Sequence, residues 1–502
     1  MKLNLLRNAL ANLAGGLIPA VVTLLTLPYI VRSLGSDSYG VLVLITSIVG
    51  YFSVLDLNVT AGSIKFVAEH HATGNLRARN QTIVSGLGLY AAIGLAGCLL
   101  ILYFCNYLII NTFSVPDGLR TVSGDALRLA AAGFFFGQIQ VYLQSVPQAI
   151  RRYDWTASVE SAFGIIVPLG TVAVLWLGYG LYEVMIVRVI ASMVNVAILA
   201  CVIRRLLPDL RFEWPKQSGF LVLARFSGYS YLSRLASVAY AQGDKLIIGA
   251  TLSMTALAQY AVPFMLVNRL YALTFRLGAV LFPVASALHA AESPGRLQQI
   301  YLYGVRYTLF FNSVIASLLA VLSRELLHYW MGPEIAIAST QILALLAVAA
   351  LLDSISNVPS LVNDGVGHPR VTGLFAVARA SMGLGLTFVL ASRLGVVGAA
   401  YAQLATAALA PAVFLWFVHG RTIPVVLSEF LLKAVLPVLP LLVLFYGYVF
   451  FTERKEPLGL ELAAAAAAAI ILVHAVYGFL FVFRAEDRMT VFSRFCRKSP
   501  AV

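Results

Sequence analysis

The sequence predicts an all-α polytopic membrane protein with about 14 transmembrane helices. Hydrophobic residues make up 60% of the chain and charged residues only 11%, and the mean hydropathy is +0.87. Soluble proteins carry about 25% charged residues. Apolar runs of roughly 18–25 residues, the length that crosses ~30 Å of hydrocarbon, recur along all 502 residues. A soluble helical protein is therefore excluded.

Each apolar run is followed by a short polar loop, so no soluble domain is expected between the spans. The fourteen predicted spans are 8–31, 40–66, 82–105, 125–148, 158–177, 181–203, 224–250, 256–288, 302–322, 338–361, 371–391, 396–418, 430–450 and 460–483. The first run begins like a signal sequence. It continues past signal length without a convincing small-residue cleavage site, so we expect an uncleaved first span.

The distribution of basic residues predicts the orientation. With a cytoplasmic N-terminus, 19 Lys and Arg residues lie in inside segments and 6 in outside segments. Because positive residues accumulate on the cytoplasmic side, both termini are predicted to be cytoplasmic. The net charge of +13 could indicate a nucleic-acid partner, but no nucleic-acid motif accompanies it, so none is predicted. Four scattered cysteines indicate neither a disulfide framework nor a metal site, and no cofactor is expected.

The two halves of the chain resemble each other at an offset of 217 or 218 residues. Leu34 pairs with Leu252, and Arg152 pairs with Arg370. Fixed offsets of this kind indicate an internal duplication. Six spans per copy make the repeats parallel, with an interface near the midplane, where transporters place their substrate.

The duplication predicts four segments. They are a six-helix lobe over 1–208, a cytoplasmic linker over 209–223, a second six-helix lobe over 224–420, and two additional helices with a basic cytoplasmic tail over 421–502.

Two stretches resemble one transporter family. Residues 27–75, "LPYIVRSLGSDSYG" through "AEHHATGN", are similar to the opening of polysaccharide-export and O-antigen (Wzx-like) flippases. These belong to the multidrug/oligosaccharidyl-lipid/polysaccharide (MOP, MATE-like) superfamily. Residues 244–262, "DKLIIGATLSMTALAQYAV", look like the seventh span and following turn of that family. The resemblance extends over essentially the whole chain.

The resemblance implies two six-helix lobes around a central cavity that opens alternately to each side of the bacterial inner membrane. Its implied cargo is an oligosaccharide on undecaprenyl diphosphate, for O-antigen or another surface polysaccharide. Coupling to a proton or sodium gradient is left open. A multidrug exporter and a peptidoglycan-precursor flippase are the alternatives within the superfamily. A polysaccharide polymerase and chain-length proteins are candidate partners, beside the membrane lipids.

Five arginines lie deep inside predicted spans. They are Arg188, Arg234, Arg269, Arg276 and Arg379. A single Arg at a helix centre costs about 2.5–3.5 kcal/mol when it faces lipid, so these side chains are expected to face protein or a wet cavity. Arg188 and Arg379 belong to outer spans in the family layout, where packing pairs are expected.

The other arginines join a set of polar residues on the first, second, seventh and eighth spans. The predicted substrate-binding residues are Arg269, Arg276, Arg234, Lys245, Asn268, Asn8, Asn12, Thr23 and Lys65. Fixed guanidinium groups can replace the hydration of a diphosphate through charge-assisted, bidentate bonds. The alternative is structural, with each Arg paired to an Asp or to helix-end carbonyls. Lys65, together with Arg128, Arg306 and Lys433, could instead anchor at lipid head groups near the span ends.

Asp56 and Asp244 are candidates for binding a coupling ion, or for neutralising Lys65 and Lys245. Pro19 is the candidate hinge of the first span, and distortion near Gly62 is the candidate hinge of the second. No Walker-type motif occurs. A membrane polymerase or glycosyltransferase would need a sizeable outside loop or a catalytic acidic or His-rich motif, so the chain is predicted not to be an enzyme.

Overall fold

The computed structural model describes residues 2–56, 59–211, 213, 217–423, 425–451 and 456–484. Side chains are described for these residues except 2–16, 59, 217–230, 232–233, 273, 276–277 and 450–451. All regular structure in this part of the chain is helical. It forms two compact units, Met1–Ala261 and Val262–Val502. The predicted linker belongs to the first of these units. The lobe boundaries inferred from the duplication stay predictions.

The first unit is built from long apolar helices. They are α1 (Lys2–Leu34), α2 (Ser36–Phe52), α3 (Val59–Ala72), α4 (Leu76–Tyr107), α5 (Arg120–Ala149), α6 (Tyr153–Trp176), α7 (Leu181–Leu206), α8 (Gln217–Thr251) and the start of α9 (Met254–Gly278). α5 packs between α4 and α7, α1 packs on α6, and α8 packs on α2 and α3. The core contains Tyr90 and Tyr142, which are fully buried.

The second unit continues with shorter helices between long ones. They are α10 (Leu281–Ala290), α11 (Pro294–Val321), α12 (Ser323–Met331), α13 (Pro333–Ser354), α14 (Asn357–Gly365), α15 (Pro369–Arg421), α16 (Leu427–Phe430), α17 (Leu439–Phe451) and α18 (Leu460–Tyr477). α11 packs against α13, α17 and α18. α18 comes close because Gly478 leaves room for the ring of Phe310. The chain bends inside α15 at Gly395, whose φ of 65° favours glycine.

The predicted fold class is confirmed: the chain is an all-helical, multi-pass membrane protein. Ten helices of the described residues are long and apolar enough to cross a membrane, or eleven if one bent pair counts as a single span. The count of fourteen stays a prediction.

Four predicted spans are not continuous helices, and one of them, the tenth, is interrupted between Ser354 and Asn357. The second span ends as a helix at Phe52, turns through Ser53–Leu55 and resumes at Val59. The eighth is interrupted between Gly278 and Leu281. The thirteenth bends by 68° between Leu427–Val435 and Leu439–Val449. Hydropathy missed these breaks because the apolar residues on both sides of each interruption keep the whole run hydrophobic.

Two helix junctions of the first unit meet at equivalent positions of the predicted repeat. The α1–α2 junction contains Gly35, and the α8–α9 junction contains Ser253. Thr255 Oγ1 donates a hydrogen bond to Asp37 Oδ1 across 218 residues of sequence. A residue that touches its own equivalent lies beside the symmetry axis. The duplication itself stays a prediction.

Replacing Gly40 should destabilise the first unit. A Cβ at this position would lie 2.0 Å from the backbone carbonyl oxygen of Met254. We expect Gly40→Ala to lower the free energy of unfolding by about 1–3 kcal/mol, because backbone must move. Gly88→Ala is the matched control: no atom lies within 4 Å of that Cβ, so the better helix former should leave stability equal or slightly higher. Thermal unfolding in detergent tests this, and equal melting temperatures for both variants would contradict the close approach.

Candidate functional site

A polar stripe runs along one face of α8. Arg234, Ser237, Ala241 and Lys245 follow one another at spacings of three and four residues, which places them on the same side of a helix. α8 is continuous over this segment, so the prediction that Arg234 and Lys245 share a face is confirmed.

The break in the second span presents Asp56 to this stripe. Asp56 follows the 3₁₀ turn Ser53–Leu55 with extended dihedral angles, φ −69° and ψ 102°. Its carboxylate accepts a hydrogen bond from Arg234 Nη2 at 3.1 Å and one from the Tyr90 hydroxyl at 2.5 Å. Tyr90 comes from α4, so three elements of the first unit meet at one carboxylate.

Buried tyrosines hold the inner side of this site. The rings of Tyr90 and Tyr142 lie 5.3 Å apart, centroid to centroid. The Tyr142 hydroxyl lies 3.1 Å from Ser63 Oγ and donates to the carbonyl of Ile83 at 2.8 Å. Gly86 makes this possible, because a Cβ there would lie 2.3 Å from that hydroxyl. The tyrosine pair thereby fixes where Asp56 can lie.

A second ion pair lies three helical turns further along α8. Lys245 Nζ is 3.1 Å from Asp244 Oδ1 and donates to the carbonyl of Ala241 at 2.6 Å. The Tyr260 hydroxyl donates to Asp244 Oδ2 at 2.8 Å. Both pairs therefore combine a cation on α8, a carboxylate and a tyrosine hydroxyl.

The two partners of each pair differ in exposure. The Arg234 side chain is 40% exposed and that of Asp56 3%, while Lys245 is 12% exposed and Asp244 1%. Arg234 Nε makes no hydrogen bond to any described residue. The carboxylates thus lie behind the cations, and the accessible surface of the stripe is positively charged.

The exposed side of Arg234 lines a cavity of about 340 Å³. Its walls are Gly50, Ser53, Arg234, Ser237, Val238, Ala241 and Gln242. Gly50 allows α2 and α8 to approach, because a Cβ there would lie 2.9 Å from the Gln242 amide nitrogen. The cavity is large enough for a small anionic group and too small for an oligosaccharide.

The model of the polysaccharide biosynthesis protein family matches residues 5–289, more than half of the chain. This chain belongs to that family. Two relatives of known sequence agree with this membership. One is named "Putative O-antigen transporter" in Shigella flexneri, 21% identical over 409 residues that cover 79% of this chain and 94% of the relative. The other is named "Uncharacterized membrane protein EpsK" in Bacillus subtilis (strain 168), 20% identical over 336 residues, 65% of each chain.

Solved structures of membrane transporters share the fold of this family member. The lipid II flippase MurJ, in an inward closed conformation, matches with a TM-score of 0.69 and 14% identity over 93% of this chain and 97% of MurJ. An inward-facing multidrug resistance MATE transporter of the MOP superfamily matches with a TM-score of 0.68 and 15% identity. That match covers 81% of this chain and 97% of the transporter.

The other predicted substrate-binding residues are not among the residues that line this cavity, or their side chains lie outside the description. Arg269 is exposed on α9, in the second unit, and Asn268 beside it donates to the carbonyl of Phe264. Arg276, Asn8 and Asn12 lie in helices, and their side chains are outside the description. The binding roles of these residues stay predictions.

Thr23 and Lys65 lie on helices of the first unit. The Thr23 hydroxyl donates to the carbonyl of Pro19 at 2.8 Å, and the Lys65 ammonium lies 5.3 Å from the centroid of the Phe66 ring. Both roles stay predictions.

Neither hinge candidate coincides with a break in a helix. Gly62 is buried inside α3, and the second span is interrupted earlier, at Ser53–Leu55. Pro19 lies within α1, and a Cβ on Gly164 of α6 would lie 2.7 Å from its ring. Both hinges stay predictions.

Outside the site, Arg379 pairs with Asp353 at 2.6 Å in the second unit, which confirms the expected packing pair. The sequence reasoning missed Tyr90, Tyr260 and Gln242. Gln242 could have been found from its spacing to Arg234 on α8, whereas the two tyrosines carry no signal in an apolar span. Among the described residues, no group of three or more His, Cys, Asp and Glu side chains could hold a metal ion.

Neutralising either partner of the Arg234–Asp56 pair should lower the free energy of unfolding, but by unequal amounts. Arg234→Gln leaves a buried carboxylate without its cation, so we expect the free energy of unfolding to fall by about 2–3 kcal/mol. Asp56→Asn leaves a partly solvated guanidinium and should cost about 1 kcal/mol. The double variant should recover most of the Arg234→Gln loss. Thermal unfolding of all four forms measures the coupling, and strictly additive losses would show that the pair does not interact.

Proposed function

We propose that this chain is a flippase that moves an undecaprenyl-diphosphate-linked oligosaccharide across the bacterial inner membrane by alternating access. Family membership and the likeness to a transporter named for O-antigen support a role in the export of surface polysaccharide units. The fold shared with a lipid II flippase supports a lipid-linked cargo. Transport of this kind makes and breaks no covalent bond, so the proposal requires no catalytic residue.

The main support for the proposal is the arrangement of charges at the cavity between α2 and α8. Arg234 faces the cavity, and its counter-charge Asp56 lies buried behind it. A diphosphate entering this space meets a guanidinium group first, with Ser237 and Gln242 as further polar neighbours. Charge-assisted bonds from Arg can replace part of the hydration that the diphosphate loses. The glycan requires space beyond this cavity, and the lipid tail can stay in the bilayer.

A multidrug exporter is the second candidate, because a MATE transporter shares the fold. Cationic drugs call for accessible carboxylates. Asp56 and Asp244 are buried, and a cation lies in front of each, so the geometry favours an anionic cargo. A flippase for the peptidoglycan precursor would carry the same diphosphate group, and its cargo would differ in the attached sugar.

Energy coupling is part of the proposal. We place the candidate site for a proton or sodium ion at Asp56 or Asp244. Protonation of either carboxylate would weaken its cation pair and so change how α8 is held. The proposed setting is the inner membrane with both termini cytoplasmic, the orientation that the basic loops favour.

Removing the Arg234–Asp56 pair as a unit should impair export. We expect Arg234→Gln with Asp56→Asn to reduce surface polysaccharide about 10- to 100-fold, the loss of one or two charged hydrogen bonds to the diphosphate. The lipid-linked unit should accumulate on the cytoplasmic face. The measurement is complementation of a strain that lacks its own flippase, with both glycan pools quantified at matched membrane protein levels.

Arg379→Gln with Asp353→Asn is the matched control for this experiment. It removes a comparable ion pair outside the cavity and should leave export within about twofold of the wild type. Equal loss in both double variants would reject the cavity as the cargo site. Increased sensitivity to cationic dyes with unchanged polysaccharide would favour the exporter.

Arg269 and Arg276 are proposed to contact the same cargo from α9. Neutralising both to Gln should lower export at least 10-fold if each supplies a phosphate contact. The same complementation assay measures this, with Arg152→Gln and Arg205→Gln as a control of equal charge change. Unchanged export with both α9 arginines replaced would remove them from the site.

A further inference from the structure

The chain between α7 and α8 is docked on the helices of the first unit. Leu207 is 2% exposed and belongs to the core cluster that also contains Val67 of α3 and Ala149 of α5. Leu210 packs against the same cluster. We call residues 207–211 and 213 the connecting segment. Because its leucines are part of the core, the connecting segment has a defined place on the first unit.

Two buried polar residues of α4 hold the connecting segment by its backbone. Asn80, which is 4% exposed, donates from Nδ2 to the carbonyl oxygen of Asp209 at 3.0 Å. Arg79 is 1% exposed, and its Nε and Nη2 donate to Asn80 Oδ1 at 3.2 and 3.0 Å. Since a guanidinium group can only donate, it fixes which end of the Asn80 amide faces Asp209. We call Arg79, Asn80 and Asp209 the Arg79 clasp.

The Arg79 clasp also contacts α3 and lies near the start of α8. Arg79 Nη1 is 3.5 Å from His71 Nδ1, close to the last residue of α3. Arg77 Nε is 3.5 Å from Glu213 Oε2, and α8 begins four residues later, at Gln217. The end of α3, the start of α4 and the chain that leads into α8 therefore meet at one place.

The same two helices, α3 and α8, meet again at the Arg234–Asp56 pair. α3 follows the break that presents Asp56, and it ends beside the Arg79 clasp. α8 follows the connecting segment and carries Arg234 roughly 25 Å along its axis from Gln217. The two helices pack against each other. Because a helix is stiff, a change in the position of its first turn also moves the residues further along it.

We propose that Arg79 and Asn80 are positioning residues of the cargo site, which hold the connecting segment so that α8 presents Arg234 to Asp56. Neither residue lines the cavity between α2 and α8, so both act through α8. A buried guanidinium group is costly, and fixing the register of packed elements is the best-attested use of such groups. The proposal rests on the proposed function for its export measurement, whereas the coupling between the two places can be measured without transport.

Asn80→Asp releases the connecting segment and keeps Arg79 paired. The new carboxylate accepts from the guanidinium group as the amide oxygen did, but it has no N–H for the Asp209 carbonyl. We expect surface polysaccharide to fall about 3- to 10-fold, the loss of one hydrogen bond that fixes the segment. Asn106→Ala is the matched control, because it removes an Arg–Asn hydrogen bond at the other end of α4. It should leave export within about twofold of the wild type.

A positioning role predicts that changes at the two places are not additive. Added to Arg234→Gln with Asp56→Asn, the Asn80→Asp change should lower export by less than about twofold, because the pair that it positions is already gone. Thermal unfolding in detergent tests the coupling without transport. The melting-temperature shift of Asn80→Asp combined with Arg234→Gln should be smaller than the sum of the two separate shifts, whereas Asn106→Ala should add to Arg234→Gln in full.

A covalent link near the Arg79 clasp should replace it. Arg77→Cys with Glu213→Cys places two thiols where these side chains meet, in a chain whose four other cysteines are changed to alanine. Joining the two thiols with a short bismaleimide should return export of the Asn80→Asp variant to within about twofold of the unmodified parent. The same link should leave export unchanged in the chain that retains Asn80.

Restored export together with non-additive melting shifts supports the proposal. Additive melting shifts, or export that stays low after the link has formed, would overturn it. Loss of export when the chain that retains Asn80 is linked would also overturn it, because the connecting segment would then have to leave the clasp during transport. If the wild type itself exports no polysaccharide, the proposed function fails, and the melting shifts alone decide the positioning role.

Discussion

The site in the first unit depends on the ion pair between Asp56 and Arg234, which joins the interrupted second span to α8. A carboxylate with 3% exposure in an apolar bundle needs a cation and hydrogen-bond donors at fixed positions. Arg234 supplies the cation from α8, and Tyr90 supplies the donor from α4. The second span is interrupted where it must present Asp56. The break, the register of α8 and the cavity beside Arg234 are therefore parts of one arrangement.

Small residues make this arrangement possible by letting the helices approach closely, since the hydrophobic effect does not drive helices together inside a membrane. Gly50 lets Gln242 of α8 lie against α2, and Gly86 lets the Tyr142 hydroxyl reach the backbone of α4. In both places a methyl group would collide with a polar side chain that belongs to the site or supports it. Membrane helices associate through such close approaches and through interhelical hydrogen bonds. The polar side chains of the cavity are thus held by packing as well as by charge.

Sequence reasoning reached part of the site. The shared face of Arg234 and Lys245 followed from their spacing of eleven residues, and the pair of Asp244 with Lys245 was one of two alternatives for that carboxylate. The contact of Asp56 with Arg234 spans 178 residues, and no local pattern connects them. Lys65 was the candidate partner along the chain for the same carboxylate, although a spacing of nine residues places the two on opposite faces of an ideal helix. The supporting tyrosines were invisible, since aromatic residues are ordinary members of apolar spans.

The sequence by itself determined the class of the protein, because long apolar runs and sparse charges permit only a helical membrane fold. It also determined the candidate duplication and the family, through turns and motifs that recur at fixed places along the chain. The tertiary structure alone decided where the second span breaks and which carboxylate each cation pairs with. It also decided that each cation is more exposed than the carboxylate it pairs with. Those outcomes depend on contacts between helices that are distant in sequence. The three-dimensional packing of the helices decides which buried partners meet, and the order of residues along the chain does not show that packing.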